Sequence, residues 1–323
     1  MHSPKLNELP PPPEGKTGFP WTEESTYLPS ATPDGSEWPK ISIVTPNYNY
    51  GDFIEETIRS VLLQGYPNLE YIIIDGGSTD NSLDIIKKYE PWLTYWVSEK
   101  DKGQANAINK GFQRASGEIL AYINSDDYYL PNAFTRVARA FSETQNDLIV
   151  GSTYVFPNKE KLVPHLRNSL LEWILTFNSS LPQPSVFWRN TKWLPMFDEN
   201  LNLVFDRAFF MQFVIHKASM LIFEDDLAAF RYHDESKSYN LEKGFDRENF
   251  IVNFQMSEYL NNKEKSKALT FLRLTKLRQE LHEITKRDFI SVLKLLRILT
   301  QNPLFLFRRE FYGRIKHIFV KSN

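Results

Sequence analysis

The sequence predicts an α/β protein, a mostly parallel sheet flanked by helices with a helical C-terminal region, and three observations predict it. From Lys40 to Asp147, short apolar runs rich in Ile, Val and Tyr alternate with segments whose apolar residues recur at helical spacing. The runs are continuously apolar, as strands buried on both faces are. Their C-terminal ends are polar or acidic, and in open parallel sheets ligands bind beyond those ends.

Residues 1–39 hold nine of the nineteen prolines (Pro4, Pro10–Pro13, Pro20, Pro29, Pro33, Pro39). Such a segment forms neither helix nor inner strand and is expected to be an extended arm, with Trp21, Tyr27 and Trp38 anchoring it to the body. Ile41–Thr45 reads as the first strand, and Phe53–Gln64 as a helix through Ile54, Ile58, Val61 and Leu62. Tyr71–Asp75, Tyr95–Val97 and Ile119–Ile123 read as further strands, separated by helices at Asn81–Tyr89 and Gln104–Arg114. A helix is expected to begin near Pro131. Past Asp147 the pattern is less regular: LIVGSTYVF, PSVFW, MLIFE and LAAFRYH read as strands, Leu170–Asn178 and Asp206–His216 as helices. Beyond Gly244 the chain turns helical, over Glu248–Leu260 and Lys263–Arg287. Three parts are expected: the arm at 1–39, an α/β domain at 40–240 and a basic helical region at 241–323.

A chain of 323 residues with 41% hydrophobic and 14% aromatic content supports a substantial core. The absence of cysteine excludes disulfides, thiolate catalysis and thiolate-bound zinc, so a metal would be held by oxygen and imidazole. No run nears the roughly 18 apolar residues of a membrane span, and the N-terminus lacks the plan of a signal peptide. The expectation is a cytoplasmic protein, peripheral at a membrane face. Residues 286–323 carry nine Lys or Arg against Asp288 and Glu310, a net of +7, while the whole chain carries −2. Phe289, Val292, Leu293, Leu296 and Leu299 make one apolar helical stripe, and Leu304, Phe307, Phe311, Ile315 and Ile318 another. Peripheral membrane contact through 288–320 and packing against protein both fit this pattern. No nucleic-acid partner is expected.

Chemistry concentrates at the strand ends. TPNYN (Thr45–Asn49) offers backbone amides and a tyrosine ring where a nucleobase can stack, and reads equally as a Pro/Asn turn. Asp75, before Gly76 and Gly77, can accept the imide N–H of uracil or thymine, or serve as a turn former. Asp101, Lys102 and Gln104 stand at a helix N-terminus suited to anions; the stretch also reads as a capped amphipathic helix with Asn106 and Asn109 facing solvent. In YINSDDYYLP (Tyr122–Pro131) the adjacent Asp126 and Asp127 repel unless a cation, water or donor separates them. That turn is either a metal site or a helix cap. Neither GxxxxGK[ST] nor GxGxxG occurs, which disfavours the common ATP and NAD folds.

TPNYN, IIIDGGSTD, DKGQANAINKG and YINSDDYYLP, in that order and spacing, resemble the inverting nucleotide-sugar glycosyltransferases of family 2, which have the GT-A fold. The likeness is strong over about 40–147 and weaker through QPSVFWR, FDENLNLVFDRAFF and FRYHDESKS. It implies a metal-dependent, hexosyltransferase-type enzyme of cell-surface polysaccharide synthesis. Such an enzyme moves a sugar from a nucleotide donor, a UDP-sugar, to a hydroxyl of a glycan or lipid-linked acceptor. By the same resemblance Tyr48 stacks on the base and Asp75 binds its imide. Thr45, Pro46, Asn47, Gly76, Asp101, Lys102, Gln104 and Ser125 complete the donor site. Asp126 holds Mn²⁺ or Mg²⁺ with Asp127 beside it, and His233 completes the metal site. Asn124 stands where many relatives have an aspartate, and an amide there can still bond a ribose hydroxyl. Asp206 is the implied general base, with Asp198 and Glu199 as alternatives; Ala208 stands where relatives often have a second acid. Two other readings stay open: a sugar-nucleotide nucleotidyltransferase, disfavoured because TPNYNYGDF has no Lys or Arg, and an inactive sugar-binding scaffold of the same fold.

Overall fold

A computed structural model of the chain describes residues 3–157, 160–165, 169–176, 181–234 and 242–282, with Lys294 and Arg297. These residues fall into two compact units, Met1–Leu170 with Thr176–Asn249, and Leu171–Leu175 with the chain from Phe250. The expected amphipathic stretches at Asp288–Thr300 and Leu304–Val320 lie, apart from Lys294 and Arg297, outside the described residues.

The larger unit is built on one sheet. Its strands are β1 (Ile41–Asn47), β2 (Leu69–Asp75), β3 (Tyr95–Ser98), β4 (Ile119–Tyr122), β5 (Tyr128–Tyr129), β6 (Leu148–Phe156), β7 (Glu160–Leu162), β8 (Val186–Arg189) and β9 (Met220–Arg231). They run in the order β3-β2-β1-β4-β8-β6-β9-β5, with β7 hung on β6. The first four are parallel, and every residue of β1 and β2 is buried. Beyond β4 the sheet is mixed, because β8 runs antiparallel to both β4 and β6. MLIFE and LAAFRYH, expected as two strands, are the single strand β9; the acidic Glu224–Asp226 between them stays in the strand, where β6 shows register shifts.

The helices that cover this sheet are α1 (Ile54–Leu62), α2 (Ser82–Tyr89), α3 (Gln104–Phe112), α4 (Ala133–Glu143) and α6 (Phe205–Ile215). In α1, Ile54, Ile58, Val61 and Leu62 are completely buried and join the core formed by Ile41, Ile43, Tyr71 and Ile73. Each such side chain contributes about 1.5–3 kcal/mol by leaving water. Between β1 and β4 the chain direction around the sheet reverses, which opens a crevice at the carboxyl ends of those two strands.

In the smaller unit, most of α5 (Leu170–Ile174) packs with α8 (Asn262–His282) and with the part of α7 (Glu242–Met256) that follows Asn249. Trp173, Ile174, Val252, Ala268 and Leu272 are buried, and Asn253 Nδ2 donates to the Ile174 carbonyl at 3.2 Å. No helix among the described residues is long and apolar enough to cross a membrane.

The Pro-rich arm lies against α1 and is part of the core. Leu9, Trp21 and Trp38 are buried, and Tyr27 Oη donates to the Pro4 carbonyl at 2.6 Å. Its anchor is Arg59 of α1, a fully buried guanidinium. Arg59 donates to the carbonyls of Pro10, Pro20 and Trp21 at 2.8, 2.9 and 3.0 Å and to Tyr89 Oη at 3.0 Å. Prolines supply the carbonyls because they have no N–H to satisfy in exchange. Replacing Arg59 by Ala strands those acceptors in the interior, and we expect a loss of about 3 kcal/mol of stability in urea denaturation. An unchanged midpoint would show that the arm is held by its aromatic residues alone.

Candidate active site

Strand register builds the first wall of the site. β1, β2 and β3 are paired so that Asn47, Asp75 and Ser98 stand side by side at their carboxyl ends. Asp75 is fully buried and takes five hydrogen bonds. Asn47 Nδ2 (2.7 Å) and Ser78 Oγ (2.5 Å) donate to Oδ1; Ser98 Oγ (2.6 Å) and the N–H groups of Gly77 (3.1 Å) and Ser78 (2.9 Å) donate to Oδ2. Burial pushes its pKa up, but the bonds from Ser78, Ser98 and Asn47 outweigh it, so the carboxyl is held below the ordinary value. Asn47 is itself 3% exposed, and its Oδ1 has no hydrogen-bond partner. Gly76 is required here: a Cβ would fall 2.6 Å from the Asp101 carboxylate.

Past these ends lies a cleft of about 1760 Å³. The segment after β1 (Pro46–Tyr50), Gly76 and Gly77, and Asp101 to Gln104 on the way into α3 line one part, of which Lys100 rather than Lys102 is the lysine. Asn124, Ser125 and Asp126 line the crevice between β1 and β4. Asp206, Arg207 and the α7 residues Phe245, Asp246 and Asn249 line the remainder. Tyr48, 59% exposed, stands free at the surface of the cleft with its ring open for stacking.

The acidic turn is pinned from below. The Thr57 hydroxyl of α1 bonds the carbonyls of Ser125 and Asp127 at 2.8 and 2.6 Å. Asp127 is completely buried, its Oδ1 accepting the Arg231 N–H at 3.0 Å. Arg231 also donates to the Asp126 carbonyl at 3.1 Å, pairs with Glu56 at 2.6 Å and lies over the rings of Phe53 and Tyr128. Burial and the neighbouring Asp126 push the Asp127 carboxyl well up from its ordinary value, against the pull of Arg231. Asn124 Nδ2 faces Asp127 Oδ2 at 3.4 Å, while its Oδ1 takes a 2.6 Å bond from Gln104. A carboxylate at 124 would meet that of Asp127 across the same gap, which accounts for the amide there. Asp126 is left facing the cleft, with Oδ2 3.1 Å from His233 Nε2; the imidazole stacks on Phe53 at 4.6 Å.

Asp206 occupies the first turn of α6 and keeps some solvent contact. Burial raises its pKa to about 6, against a 2.7 Å bond from the Arg207 N–H and the Arg207 charge. The segment leading into α6 is clamped by Glu248 of α7, whose carboxylate accepts the N–H groups of Asn202, Leu203 and Val204 at 2.8–3.2 Å. Three backbone donors on one carboxylate, ending two residues before Asp206, fix where that side chain emerges.

The structure thus brings Pro46, Asn47, Tyr48, Gly76, Asp101, Gln104, Ser125, Asp126 and Asp206 to one cleft. Thr45, bonded to Tyr71 Oη at 3.1 Å, stays beneath the surface, as do Asp75 and Asp127, and Lys102 is exposed away from the lining. His233 is not itself in the lining; it touches Asp126 at 3.1 Å and the ring of Tyr50 at 5.9 Å, both of which are. Asn109, expected at the surface, is buried and tied to both the N–H and the carbonyl of Phe197. Glu199 accepts from Asn106 and Asn109 outside the cleft. Arg231 and Glu248 act through contacts distant in sequence, with Asp127 and with the N–H groups of Asn202 to Val204, which no local pattern reveals. Among the described residues no group of three or more His, Cys, Asp or Glu gathers. The protein therefore offers Asp126 and His233, an oxygen and imidazole pair that suits Mg²⁺ or Mn²⁺ when substrate oxygens and water complete the shell.

Comparison with known proteins agrees with this architecture. Over 146 residues the chain is 32% identical to an uncharacterized glycosyltransferase of Nostoc, covering 42% of this chain and 45% of that protein. Over 92 residues it is 42% identical to the putative teichuronic acid biosynthesis glycosyltransferase TuaG of Bacillus subtilis, covering 28% and 36%. The matched regions therefore span less than half of these relatives' length. Staphylococcus aureus TarS, solved in complex with UDP-GlcNAc, shares the fold with a TM-score of 0.57 at 19% identity, over 85% of this chain and 79% of that one. Mannosyltransferase PcManGT of Pyrobaculum calidifontis, in complex with GDP-Man and Mn²⁺, gives 0.54 at 16% identity over 90% of each. A family model described as glycosyl transferase family 2 matches residues 42–215, over half of the 323, and the chain belongs to that family.

Proposed function

We propose that this protein is an inverting, hexosyltransferase-type enzyme of cell-surface polysaccharide synthesis. It takes a sugar from a nucleotide diphosphate donor, a UDP-sugar, and places it on a hydroxyl of a glycan or lipid-linked acceptor. The observation that carries the reading is that Tyr48 and the strand ends, Asp126, and Asp206 all line one cleft. The complexes of TarS, a protein of the same fold, with UDP and UDP-GlcNAc support the choice of donor.

In this reading Tyr48 stacks on the base. The ionised Asp75 takes the imide N–H once one of its five donors, such as Ser98 Oγ, yields its place, and Asn47 Oδ1 lies one strand away. Asp126, with His233 behind it, is the residue that holds Mn²⁺ or Mg²⁺; a bound cation supplies charge neutralisation at the departing diphosphate. Asp127 serves by shaping the turn. Asp206 accepts the proton of the acceptor hydroxyl as that oxygen bonds to the anomeric carbon from the face opposite the diphosphate. The bond from anomeric carbon to phosphate oxygen breaks, and its electron pair leaves on the diphosphate.

The first test is UDP release from a panel of UDP-sugars with Mn²⁺ or Mg²⁺. One donor is expected to be hydrolysed slowly without acceptor; EDTA abolishes this, and Asp126→Ala lowers it by at least about a hundredfold. Full activity in EDTA would remove the metal from the reading. Asp206→Asn should lower transfer about a thousandfold while nucleotide binding persists, and wild-type kcat/KM should fall tenfold per pH unit below about 6. Because the folded pKa of Asp206 is raised from 3.8, the folded state binds that proton more tightly. The stability it confers is complete below pH 3.8 and lost as pH rises through about 6. Asp206→Asn is therefore expected to stabilise the fold by about 2 kcal/mol at pH 8, after discounting for solvent contact, and by little at pH 4. Equal stability changes at both pH values would show that Asp206 is not held against its charge.

A further inference from the structure

The helix α7 begins outside the segment matched by the family and carries polar groups of the cleft that the donor reading leaves unused. Phe245, Asp246 and Asn249 fall on one helical face, at positions i, i+1 and i+4, and all three line the cleft together with Asp206. Asn249 is 5% exposed, and its Oδ1 is a buried acceptor with no hydrogen-bond partner. Leaving a buried carbonyl oxygen unmatched is costly, and native interiors rarely tolerate it without a reason. The neighbouring residue, Glu248, is the clamp on Asn202, Leu203 and Val204. One helix therefore fixes the base-bearing end of α6 through Glu248 and turns the adjacent Asn249 to the same cleft.

We propose that Asn249 is an acceptor-binding residue, whose Oδ1 receives a hydrogen bond from a hydroxyl of the acceptor sugar next to the one that reacts. This rests on the reading of Asp206 as the base. An amide carbonyl and the Asp246 carboxylate both seek donors, and Phe245 presents a ring edge or face to sugar C–H groups. The wall so formed takes a neutral polyhydroxylated sugar, whose hydroxyls supply the donors it seeks. The clamp by Glu248 makes acceptor binding and base placement depend on one element, so that a hydroxyl held by Asn249 is presented to Asp206 in a fixed register.

The test uses Asn249→Leu, which keeps the volume and removes the unmatched oxygen. Its melting temperature should equal or exceed that of the wild type, a result that an Asn holding the fold together would not give. UDP affinity should stay within twofold. Methyl glycosides of hexoses and N-acetylhexosamines serve as acceptor probes, with saturation-transfer NMR for binding in the presence of UDP and with UDP release for turnover. For the glycoside that the wild type binds best, the variant is expected to show a tenfold or greater rise in acceptor KM. It should also lose the wild type's discrimination against the monodeoxy analogue lacking the neighbouring hydroxyl. An unchanged KM, a lowered melting temperature, or wild-type binding of phosphorylated but not neutral glycosides would each overturn the assignment. A wild type that hydrolyses its donor yet binds none of the neutral probes also overturns it. One that hydrolyses no UDP-sugar instead refutes the glycosyltransferase reading on which the assignment stands.

Discussion

The site depends on the buried carboxylate of Asp127. Adjacent residues of a tight turn point in different directions, so anchoring one decides where the other goes. The bond from the Arg231 N–H and the packing under α1 turn Asp127 inward, and Asp126 faces the cleft as a consequence. Arg231 is held in turn by Glu56 of α1, the helix whose Thr57 bonds two carbonyls of the same turn. The polar groups beneath the turn form a closed set in which each member is matched, the condition under which buried polar networks specify geometry instead of loosening it. α1 is also the helix whose Arg59 binds the N-terminal arm. The arm is thus tied to the turn through α1 and directly to the segment that follows the turn, by the Thr26 N–H on Asn132 Oδ1 at 3.0 Å and the Asn132 N–H on Ser25 Oγ at 2.9 Å.

Much of this was legible in the sequence because it is encoded locally. Continuous β-branched runs announce β1 and β2, and the residues that follow each run are the ones placed at the cleft. Three things were not legible, for distinct physical reasons. Which of Asp126 and Asp127 faces the cleft is decided by Arg231, over a hundred residues away, so no property of the dipeptide reveals it. The strand β9 carries Glu224, Asp225 and Asp226 in its middle, a composition that reads as a break. Lys161 of β7 pairs with Asp226 at 3.1 Å, and the strand runs on. The third is α7, read from its periodicity as starting at Glu248, when helix begins at Glu242 and the turn before Asn249 lines the cleft. Exposed polar residues such as Asp246 give no hydrophobic signal, so the functional end of the helix was the end that periodicity missed.

The carboxylates of Asp75 and Asp206 show how one fold sets opposite protonation behaviour. Asp75 and Asp206 are both withdrawn from water, and withdrawal alone raises both. Asp75 sits between two strand ends and before two glycines, where hydroxyl, amide and backbone donors converge, and these reverse the shift. Asp206 stands at a helix start where Glu248 takes the N–H groups of Asn202, Leu203 and Val204, and the donors that reach Asp206, the Arg207 N–H among them, do not offset its burial. The clamp that positions Asp206 thus also removes the groups that would stabilise its charge. A carboxylate kept ionised by five donors is a fixed acceptor and a poor base, because every donor that lowers its pKa lowers its affinity for a proton. One with few donors is costly to ionise and takes up a proton readily near neutrality, as a general base must. The division of backbone N–H groups between Glu248 and Asp206 is therefore what sets the two carboxylates apart.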